Sequence, residues 1–143
     1  MSPSSEGLYL LDTHVWVWLM ADQEPLSSSP VRAALESAIE PSCLRVSVIS
    51  VWEVGMLEAH GRLGFTQGCE AWTRQALAAP GISLASLTPR IALDSTRLPG
   101  TIHGDPADRI LAATARALGA TLVTRDRRLL DYAAAGHLTA LGV

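Results

Sequence analysis

Short apolar runs alternate with helical patterns along the whole chain. Each run is about four to six residues long and is bounded by polar or turn-forming residues, which is typical of buried strands. The predicted strands cover residues 8–11, 44–49, 82–87 and 121–124, with a short edge strand near 138–141. This alternation predicts the α/β class, with a central, mostly parallel sheet of four to five strands and helices on both faces.

The segments between these strands carry apolar residues at helical spacing and residues that begin and end helices. Helices are predicted over residues 13–22, 31–40, 51–60 and 64–79, and then from Pro89 to near Pro99, from Asp105 to Gly119 and from Asp126 to Gly136. Ser50, with Glu53 three residues later, forms the capping-box pattern that begins a helix. Asp105 before Pro106 is another strong start, because aspartate caps free N–H groups and proline suits the first helical position.

The composition is that of one globular domain. The chain has 143 residues, of which 48% are hydrophobic, and a net charge of −3. No apolar run reaches the ~20 residues that span a bilayer, so no membrane association is expected. The polar segment 1–7 lacks the features of a secretory signal and is expected to be a flexible tail before a domain over residues 8–143. Two distant cysteines argue against a disulfide framework or zinc site, so a cytoplasmic location is expected.

Acidic side chains follow three of the predicted strands. Asp12 comes directly after the first strand, Glu53 lies about one helical turn past the second, and Asp126 is two residues past the fourth. The carboxyl ends of parallel strands meet at one sheet edge, where ligands of such folds bind. Asp105 and Asp108 begin a helix that runs back from the same edge. Taken singly, each acid is explained as a helix cap, which stabilises a helix by ~1 kcal/mol.

Four or five carboxylates at one edge repel one another. At about 5 Å and an effective dielectric near 20, each pair of like charges costs ~3 kcal/mol, which helix N-termini offset only in part. A hard divalent cation would offset the rest, since Mg²⁺ binds oxygen ligands and Mn²⁺ suits the same ones. Such a site can activate water and neutralise charge on a phosphodiester. The set of acids therefore predicts a metal-dependent hydrolytic site.

Hydroxyl and guanidinium groups flank these acids. Three hydroxyls either cap helices or hold a carboxylate or a water molecule in place: those of Thr13, Ser50 and Thr124. Arg109 and Arg125 either form surface ion pairs or bind substrate phosphates. His103 is predicted to be a loop residue, and the four tryptophans are predicted to be core or interface residues.

Three segments resemble the PIN-domain ribonucleases, and among these the VapC-type toxins of bacterial toxin–antitoxin systems. They are LLDTHVWVWL, SVISVWEVGML and HGDPADRILAATARALGATLVTRDRRL, and their order and spacing match from residue 8 to the end. The resemblance implies a three-layer α/β/α PIN-like domain over residues 8–143. It also implies that the catalytic acids are Asp12, Glu53, Asp108 and Asp126, and that Asp12 and Asp108 bind the metal. Asp105 is then a helix cap and a candidate to support the metal-binding acids without binding the metal itself.

The resemblance further implies a Mg²⁺-dependent endoribonuclease that hydrolyses RNA phosphodiester bonds as the toxin of a toxin–antitoxin pair. Similar toxins often form homodimers, and a VapB-like antitoxin inhibits them by covering the site with its C-terminal segment. An apolar groove near the helix of Trp16 and Trp18 would suit such a segment. Arg109 and Arg125 are then candidates for contact with RNA or with the antitoxin.

Other classes of protein also place an aspartate after a parallel strand. Receiver domains and haloacid-dehalogenase-like phosphatases do so, but both rely on a lysine, and this chain has none. The phosphatase motif also needs a second aspartate two residues after the first, where His14 stands. Two alternatives stay open. One is a non-catalytic PIN-like binding module, whose usual sign is a missing acid, and the other is a subunit of a DNA-associated FitB-like complex.

Overall fold

Five parallel strands form the central sheet of residues 7–143, the part of the chain that this computed structural model describes. They are β1 (Tyr9–Leu11), β2 (Leu44–Ser47), β3 (Ile82–Ala85), β4 (Thr121–Thr124) and β5 (Thr139–Gly142). Their order across the sheet is β3-β2-β1-β4-β5, so β1 lies at the centre. All four strand pairings are parallel, which confirms the predicted sheet with its fifth, edge strand.

Seven helices accompany the sheet within residues 7–143. They are α1 (Thr13–Ala21), α2 (Val31–Ser37), α3 (Val48–Ala59), α4 (Cys69–Leu77), α5 (Pro89–Ser95), α6 (Pro106–Leu118) and α7 (Arg127–Ala134). The sequence signals at both ends of α6 are confirmed. Asp105 is its N-cap, and Gly119 ends it with a φ of 63°, a left-handed conformation that glycine adopts without steric cost.

The core lies in two layers, one on each face of the sheet. Successive residues of a strand point to opposite faces, and Leu10 and Leu11 accordingly belong to different clusters of buried side chains. Leu11 packs with buried residues of α1, α2, α3 and α4, including Trp16. Leu10 packs with residues of α6 and α7, including Leu111 and Leu129. The predicted three-layer α/β/α arrangement is therefore confirmed.

The helix α3 begins three residues earlier than the sequence predicts. The strand β2 ends at Ser47 and not at residue 49, and the Ser47 hydroxyl accepts a hydrogen bond from the N–H of Ile49 at 3.0 Å. Ser47 is thus the N-cap, and the helix starts at Val48. The predicted capping box of Ser50 and Glu53 is wrong, because both residues lie inside the helix.

Three other helices are shorter than predicted, namely α2, α4 and α5. The largest difference is in α4, which was expected to begin at residue 64 and begins at Cys69. Gly68 has a φ of 86°, outside the helical region, and therefore separates the preceding turn from the helix. The ring of Phe65 stacks on Trp72 with 4.5 Å between centroids. Residues 64–68 thus cover the core as a turn.

Two further predictions concern the N-terminal tail and the absence of membrane association. Of the predicted tail, only Gly7 is among the described residues, and residues 1–6 lie outside them. The division into a tail over 1–7 and a domain over 8–143 therefore stays a prediction. Within residues 7–143, no helix is long and apolar enough to cross a membrane.

Candidate active site

A cleft of about 620 Å³ lies where the carboxyl ends of β1, β2 and β4 meet the start of α6. We call it the acidic cleft. Its acids are Asp12, Glu53, Asp105, Asp108 and Asp126. Its other lining residues are His14, Val15, Trp18, Leu57, Arg62, Arg125 and Arg128. The structure thus brings together the four acids that were predicted to be catalytic, while their roles remain predictions.

Asp12 is both a helix cap and a wall of the acidic cleft. Its Oδ1 accepts a hydrogen bond from the N–H of Thr13 at 2.7 Å, and its Oδ2 accepts one from the hydroxyl of Thr124 at 2.6 Å. Burial raises the pKa of Asp12 above its usual range, and these two hydrogen bonds oppose the rise. The carboxylate is therefore oriented by its own helix and by the neighbouring strand.

Glu53 reaches the cleft from the second turn of α3. Its Oε1 accepts a hydrogen bond from the hydroxyl of Thr13 at 2.5 Å, and the same hydroxyl lies 2.9 Å from Oγ of Ser50. Burial raises the pKa of Glu53, and repulsion from Asp12 and Asp105 acts in the same direction, while the bond from Thr13 opposes them. Thr13 and Ser50 are buried and join α1 to α3 at this acid.

Asp108 combines burial with repulsion from every other acid of the cleft. Its backbone N–H donates to Oδ1 of Asp105 at 3.1 Å, which is the bond that caps α6. Its side chain is 12% exposed, and its Oδ2 lies 3.3 Å from Nε2 of His103. Burial, followed by repulsion from Asp105, Asp12, Asp126 and Glu53, raises the pKa of Asp108 to about 7. At neutral pH this carboxyl group is therefore only partly ionised.

Asp126 caps α7 and is tied to the end of β4. Its Oδ1 accepts hydrogen bonds from the N–H groups of Arg128 at 2.8 Å and Leu129 at 3.4 Å. Its own backbone N–H donates to the hydroxyl oxygen of Thr124 at 3.0 Å. Thr124 therefore contacts both Asp12 and Asp126. A capping role does not keep an acid out of the cleft, since three N-caps of the fold line it: Asp12, Asp105 and Asp126.

The acidic cleft fits a hard divalent cation by the chemistry of its donors. They are carboxylate oxygens, which Mg²⁺ and Mn²⁺ prefer. Burial, and after it repulsion from the other acids, raises the pKa of Asp108 to about 7, and a bound cation would oppose both effects. Among the described residues, no three Asp, Glu, His or Cys side chains converge closely enough to hold a metal by themselves. Mg²⁺ usually takes only one or two carboxylates and keeps several waters, so it does not need three converging side chains.

The arginines of the cleft differ in part from those predicted. Arg125 lines the cleft as expected, together with Arg62 and Arg128. Arg109 does not line the cleft, and its predicted contact with RNA or with the antitoxin stays a prediction. Its guanidinium donates to three backbone carbonyls at 2.9, 3.3 and 3.4 Å, those of Ser95, Ile102 and His103. Arg109 therefore joins the end of α5 to the loop before α6.

Arg62 and His14 line the cleft without having been predicted there. Arg62 lies in the loop after α3, and no signal in the sequence connects it with the acids, because the path of that loop decides its position. His14 follows Thr13 on α1, and its ring centroid lies 5.9 Å from that of Trp18. His14 lies in the first turn of α1, two residues after Asp12, and this position could have predicted that it lines the cleft.

A second cavity of about 690 Å³ lies along α1 and α2, and we call it the α1–α2 groove. Its lining residues are Trp18, Leu19, Asp22, Leu26, Ser27, Arg32, Glu36, Ile39 and Glu40. Trp18 lines both this groove and the acidic cleft. A groove near Trp16 and Trp18 was predicted, and only Trp18 takes part in it. Trp16 is 0% exposed, because it points into the core.

Comparison with known protein families shows which family this chain belongs to. The sequence pattern of the PIN domain matches residues 9–135, a span that contains all five acids of the cleft. The chain belongs to the PIN-domain family. This PIN domain is 38% identical over 123 residues to Ribonuclease VapC22 of Mycobacterium tuberculosis (strain ATCC 25618 / H37Rv). The similarity covers 86% of this chain and 90% of that protein.

Solved structures share the fold of this PIN domain. A DNA-bound VapBC from Salmonella typhimurium matches with a TM-score of 0.68 and 15% identity, over 94% of this chain and 97% of that chain. VapBC2 from Rickettsia felis, bound to a DNA fragment from its promoter, matches with a TM-score of 0.66 and 17% identity, over 94% and 98%. At these identities the likeness concerns the fold, and it agrees with the predicted PIN-like α/β/α architecture.

Proposed function

We propose that this PIN domain is a Mg²⁺-dependent endoribonuclease that acts as the toxin of a toxin–antitoxin system. The observation that carries the proposal is the acidic cleft, where Asp12, Glu53, Asp108 and Asp126 line one space at the carboxyl edge of the sheet. The 38% identity to Ribonuclease VapC22, over most of both chains, supports RNA as the substrate.

Each acid has a distinct part in the proposed reaction. Asp12 and Asp108 would hold Mg²⁺, or Mn²⁺ in its place. When bound, the ion neutralises charge on the phosphodiester and activates water for attack at phosphorus. Glu53 and Asp126 complete the pocket and accept hydrogen bonds from water beside the reacting phosphate. Thr124 supports this arrangement, because its hydroxyl contacts both Asp12 and the backbone of Asp126.

The arginines of the cleft would bind the RNA backbone. The chain has a net charge of −3, so it lacks the general positive charge of many nucleic-acid-binding proteins. Arg62, Arg125 and Arg128 concentrate positive charge beside the acids. Phosphates on either side of the cleaved bond are suitable partners for these guanidinium groups.

The α1–α2 groove is the proposed site for a VapB-like antitoxin. It combines apolar residues with three acids and one arginine, so it suits a segment that carries apolar and basic side chains. Arg32 already pairs with Asp22 at 2.9 Å and with Glu36 at 2.6 Å. Because Trp18 lines both cavities, a segment in the groove would run towards the acidic cleft. Co-expression of such an antitoxin should relieve growth arrest, and Glu40→Arg in the groove should weaken that relief.

A second copy of the chain is the proposed partner for the exposed surface of α3. Val48, Trp52 and Met56 are 38%, 57% and 38% exposed and stand four residues apart, on one face of the helix. Exposed apolar surface of this kind commonly marks a protein interface. Light scattering should find a dimer that Trp52→Glu converts to a monomer, while Leu118→Glu, at an exposed leucine of α6, leaves it intact. A monomeric wild-type protein would contradict the homodimer.

The activity is tested with matched substitutions of two aspartates. Asp12→Asn removes a carboxylate from the cleft but keeps a residue that caps helices equally well. Asp131→Asn is the control, at an exposed position of α7 outside the cleft. The purified proteins are incubated with a structured RNA and with single-stranded DNA of the same sequence, in Mg²⁺ and in EDTA. We expect RNA cleavage in Mg²⁺ by the wild type and by Asp131→Asn, and none in EDTA or by Asp12→Asn.

The other outcomes separate the alternatives. RNA cleavage that persists in EDTA or in Asp12→Asn would contradict the metal-dependent mechanism. Cleavage of DNA but not RNA would favour a DNA-directed function of the FitB-like kind. No cleavage of either polymer, by a folded protein that binds no Mn²⁺, would favour a non-catalytic binding module. Among the acids that begin α6, Asp108→Asn should lower the activity more than Asp105→Asn, and equal losses would mean that Asp105 is a metal ligand too.

A further inference from the structure

The loop before α6 places the side chain of His103 largely inside the domain. The side chain of His103 is 16% exposed, although the residue lies in a loop. Its Nδ1 accepts a hydrogen bond from the backbone N–H of Asp105 at 3.3 Å. A ring nitrogen that accepts a hydrogen bond carries no proton, so the neutral ring has its proton on Nε2.

The protonated nitrogen of this ring faces Asp108. Nε2 lies 3.3 Å from Oδ2 of Asp108, and among the described residues it has no well-aligned hydrogen-bond partner. Buried N–H groups are nearly always paired in folded proteins. The adjacent acceptor is the carboxylate of Asp108, and a small rotation of that side chain would align the two groups.

The position of His103 is fixed from outside the cleft. The guanidinium of Arg109 donates to the carbonyls of Ile102 and His103 at 3.3 and 3.4 Å. It also donates to the carbonyl of Ser95 at 2.9 Å, which connects this loop with the end of α5. The loop is therefore held on both sides of the histidine, by Arg109 on its carbonyls and by Asp105 on its ring.

Asp108 consequently has neighbours at two points. Its backbone N–H is bonded to Asp105, which sets the start of α6. Its carboxylate has the Nε2–H of His103 on the Oδ2 side. A donor on one oxygen of a metal-binding carboxylate leaves the other oxygen to face the ion and fixes the plane of the group.

We propose that His103 is a positioning residue that orients the carboxylate of Asp108 through its Nε2–H and thereby sets the affinity of the acidic cleft for a divalent ion. This inference rests on the proposed function, because it assigns Asp108 to the metal. His103 touches neither substrate nor metal in this scheme and acts through Asp108 alone.

The test compares two substitutions of His103 with one of an exposed histidine. His103→Leu has a similar volume and no donor, whereas His103→Gln places an amide N–H near the position of Nε2. His60→Leu, at the exposed end of α3, is the matched control. Mn²⁺ affinity is measured by calorimetry without RNA, and cleavage is measured as a function of Mg²⁺ concentration. Circular dichroism establishes that each variant is folded.

We expect His103→Leu to weaken Mn²⁺ binding by about 10- to 100-fold. The Mg²⁺ concentration for half-maximal cleavage should rise in parallel, and excess Mg²⁺ should restore most of the rate. His103→Gln should recover most of the affinity, and His60→Leu should match the wild type. A folded His103→Leu protein with wild-type Mn²⁺ affinity would overturn the inference, as would a His103→Gln protein no better than His103→Leu.

The wild-type protein gives a test that does not depend on the folding of a variant. Long-range ¹H–¹⁵N spectra of the metal-free protein should show the His103 proton on Nε2, and a proton on Nδ1 instead would overturn the inference. Different results would overturn the proposed function and the role of His103. A wild-type protein that neither binds Mn²⁺ nor cleaves RNA overturns the proposed function and the role of His103 with it. A wild-type protein that does both, with His103→Leu unchanged, overturns only the role of His103.

Discussion

The hydroxyl of Thr124 donates a hydrogen bond of 2.6 Å to Oδ2 of Asp12. The same hydroxyl accepts the backbone N–H of Asp126 at 3.0 Å. Because β1 and β4 pair in parallel, a side chain at the end of β4 lies beside the residue that follows β1. One hydroxyl group therefore contacts two acids, Asp12 and Asp126, that are 114 residues apart in the sequence, and it fixes their relative position.

The substitution Thr124→Val should lower RNA cleavage about 10-fold, because Asp12 loses the donor that orients it. The bond from Thr124 lowers the pKa of Asp12 against the effect of burial, so its loss should raise that pKa further. The acid limb of the pH–rate profile should therefore move to higher pH. Thr121→Val, at the other end of β4, is the control. An unchanged acid limb in a folded Thr124→Val protein would contradict this role.

Asp108→Asn should change how the stability of the metal-free protein depends on pH. Folding raises the pKa of Asp108 from its usual 3.8 to about 7, so between these values the folded protein holds a proton that the unfolded chain has released. The resulting stabilisation is present at low pH and is lost as the pH rises through 7. Urea unfolding in EDTA should show Asp108→Asn to be ~1–3 kcal/mol more stable than the wild type at pH 8.

The same measurement at pH 5 and with Mg²⁺ provides the controls. At pH 5 most of the difference between Asp108→Asn and the wild type should disappear, since Asp108 is then protonated in the folded protein. Added Mg²⁺ at pH 8 should stabilise the wild type more than the variant, because only the folded wild type offers the full site. A variant less stable than the wild type at pH 8 in EDTA would contradict the raised pKa of Asp108.

Glu53→Gln should leave the melting temperature in EDTA unchanged or higher. Glu53 is not a cap, and a glutamine can still accept the hydroxyl hydrogen bond of Thr13 while relieving repulsion from Asp12. Thr13→Val should instead destabilise the protein by ~1–3 kcal/mol, since it leaves Glu53 and Ser50 without this partner. Thermal unfolding of both variants in EDTA distinguishes the cases. A clear fall for Glu53→Gln would mean that the carboxylate itself supports α3.

Arg62→Gln should raise the KM for RNA several-fold at low salt with little change in kcat, because Arg62 lines the cleft but supplies no carboxylate for the metal. The slope of log Kd against log salt concentration should decrease by about one, because one phosphate contact is lost. Arg90→Gln is the control, at an exposed arginine of α5 that pairs with Asp94. A KM and a salt dependence equal to those of the wild type would remove Arg62 from the RNA-binding surface.

The strands and the acids were predictable because they depend on local patterns and one rule of topology. Apolar runs end at Asp12 and two residues before Asp126, and parallel strands place their ends at one edge. Asp105 and Gly119 carry the common signals for the start and the end of a helix. The position of Asp108 in the cleft then follows from the direction in which α6 runs.

Features that depend on tertiary contacts were not predictable in the same way. Ser47 and Ser50 are equally good caps in the sequence, and the end of β2 is decided by its pairing with β3, whose last pair is Ser47 and Ala85. The carbonyls that bind Arg109 become its neighbours only through the folded path of the loop before α6. The same holds for Arg62, since the loop after α3 alone brings it to the acids.

Trp18 forms part of the wall of both the α1–α2 groove and the acidic cleft. Two ligands that meet at one side chain are thermodynamically linked, and the factor by which one weakens the binding of the other is the same in both directions. An antitoxin segment in the groove that excludes RNA from the cleft would therefore itself be released when RNA accumulates. The level of intact RNA would then help to determine how much of the toxin is free.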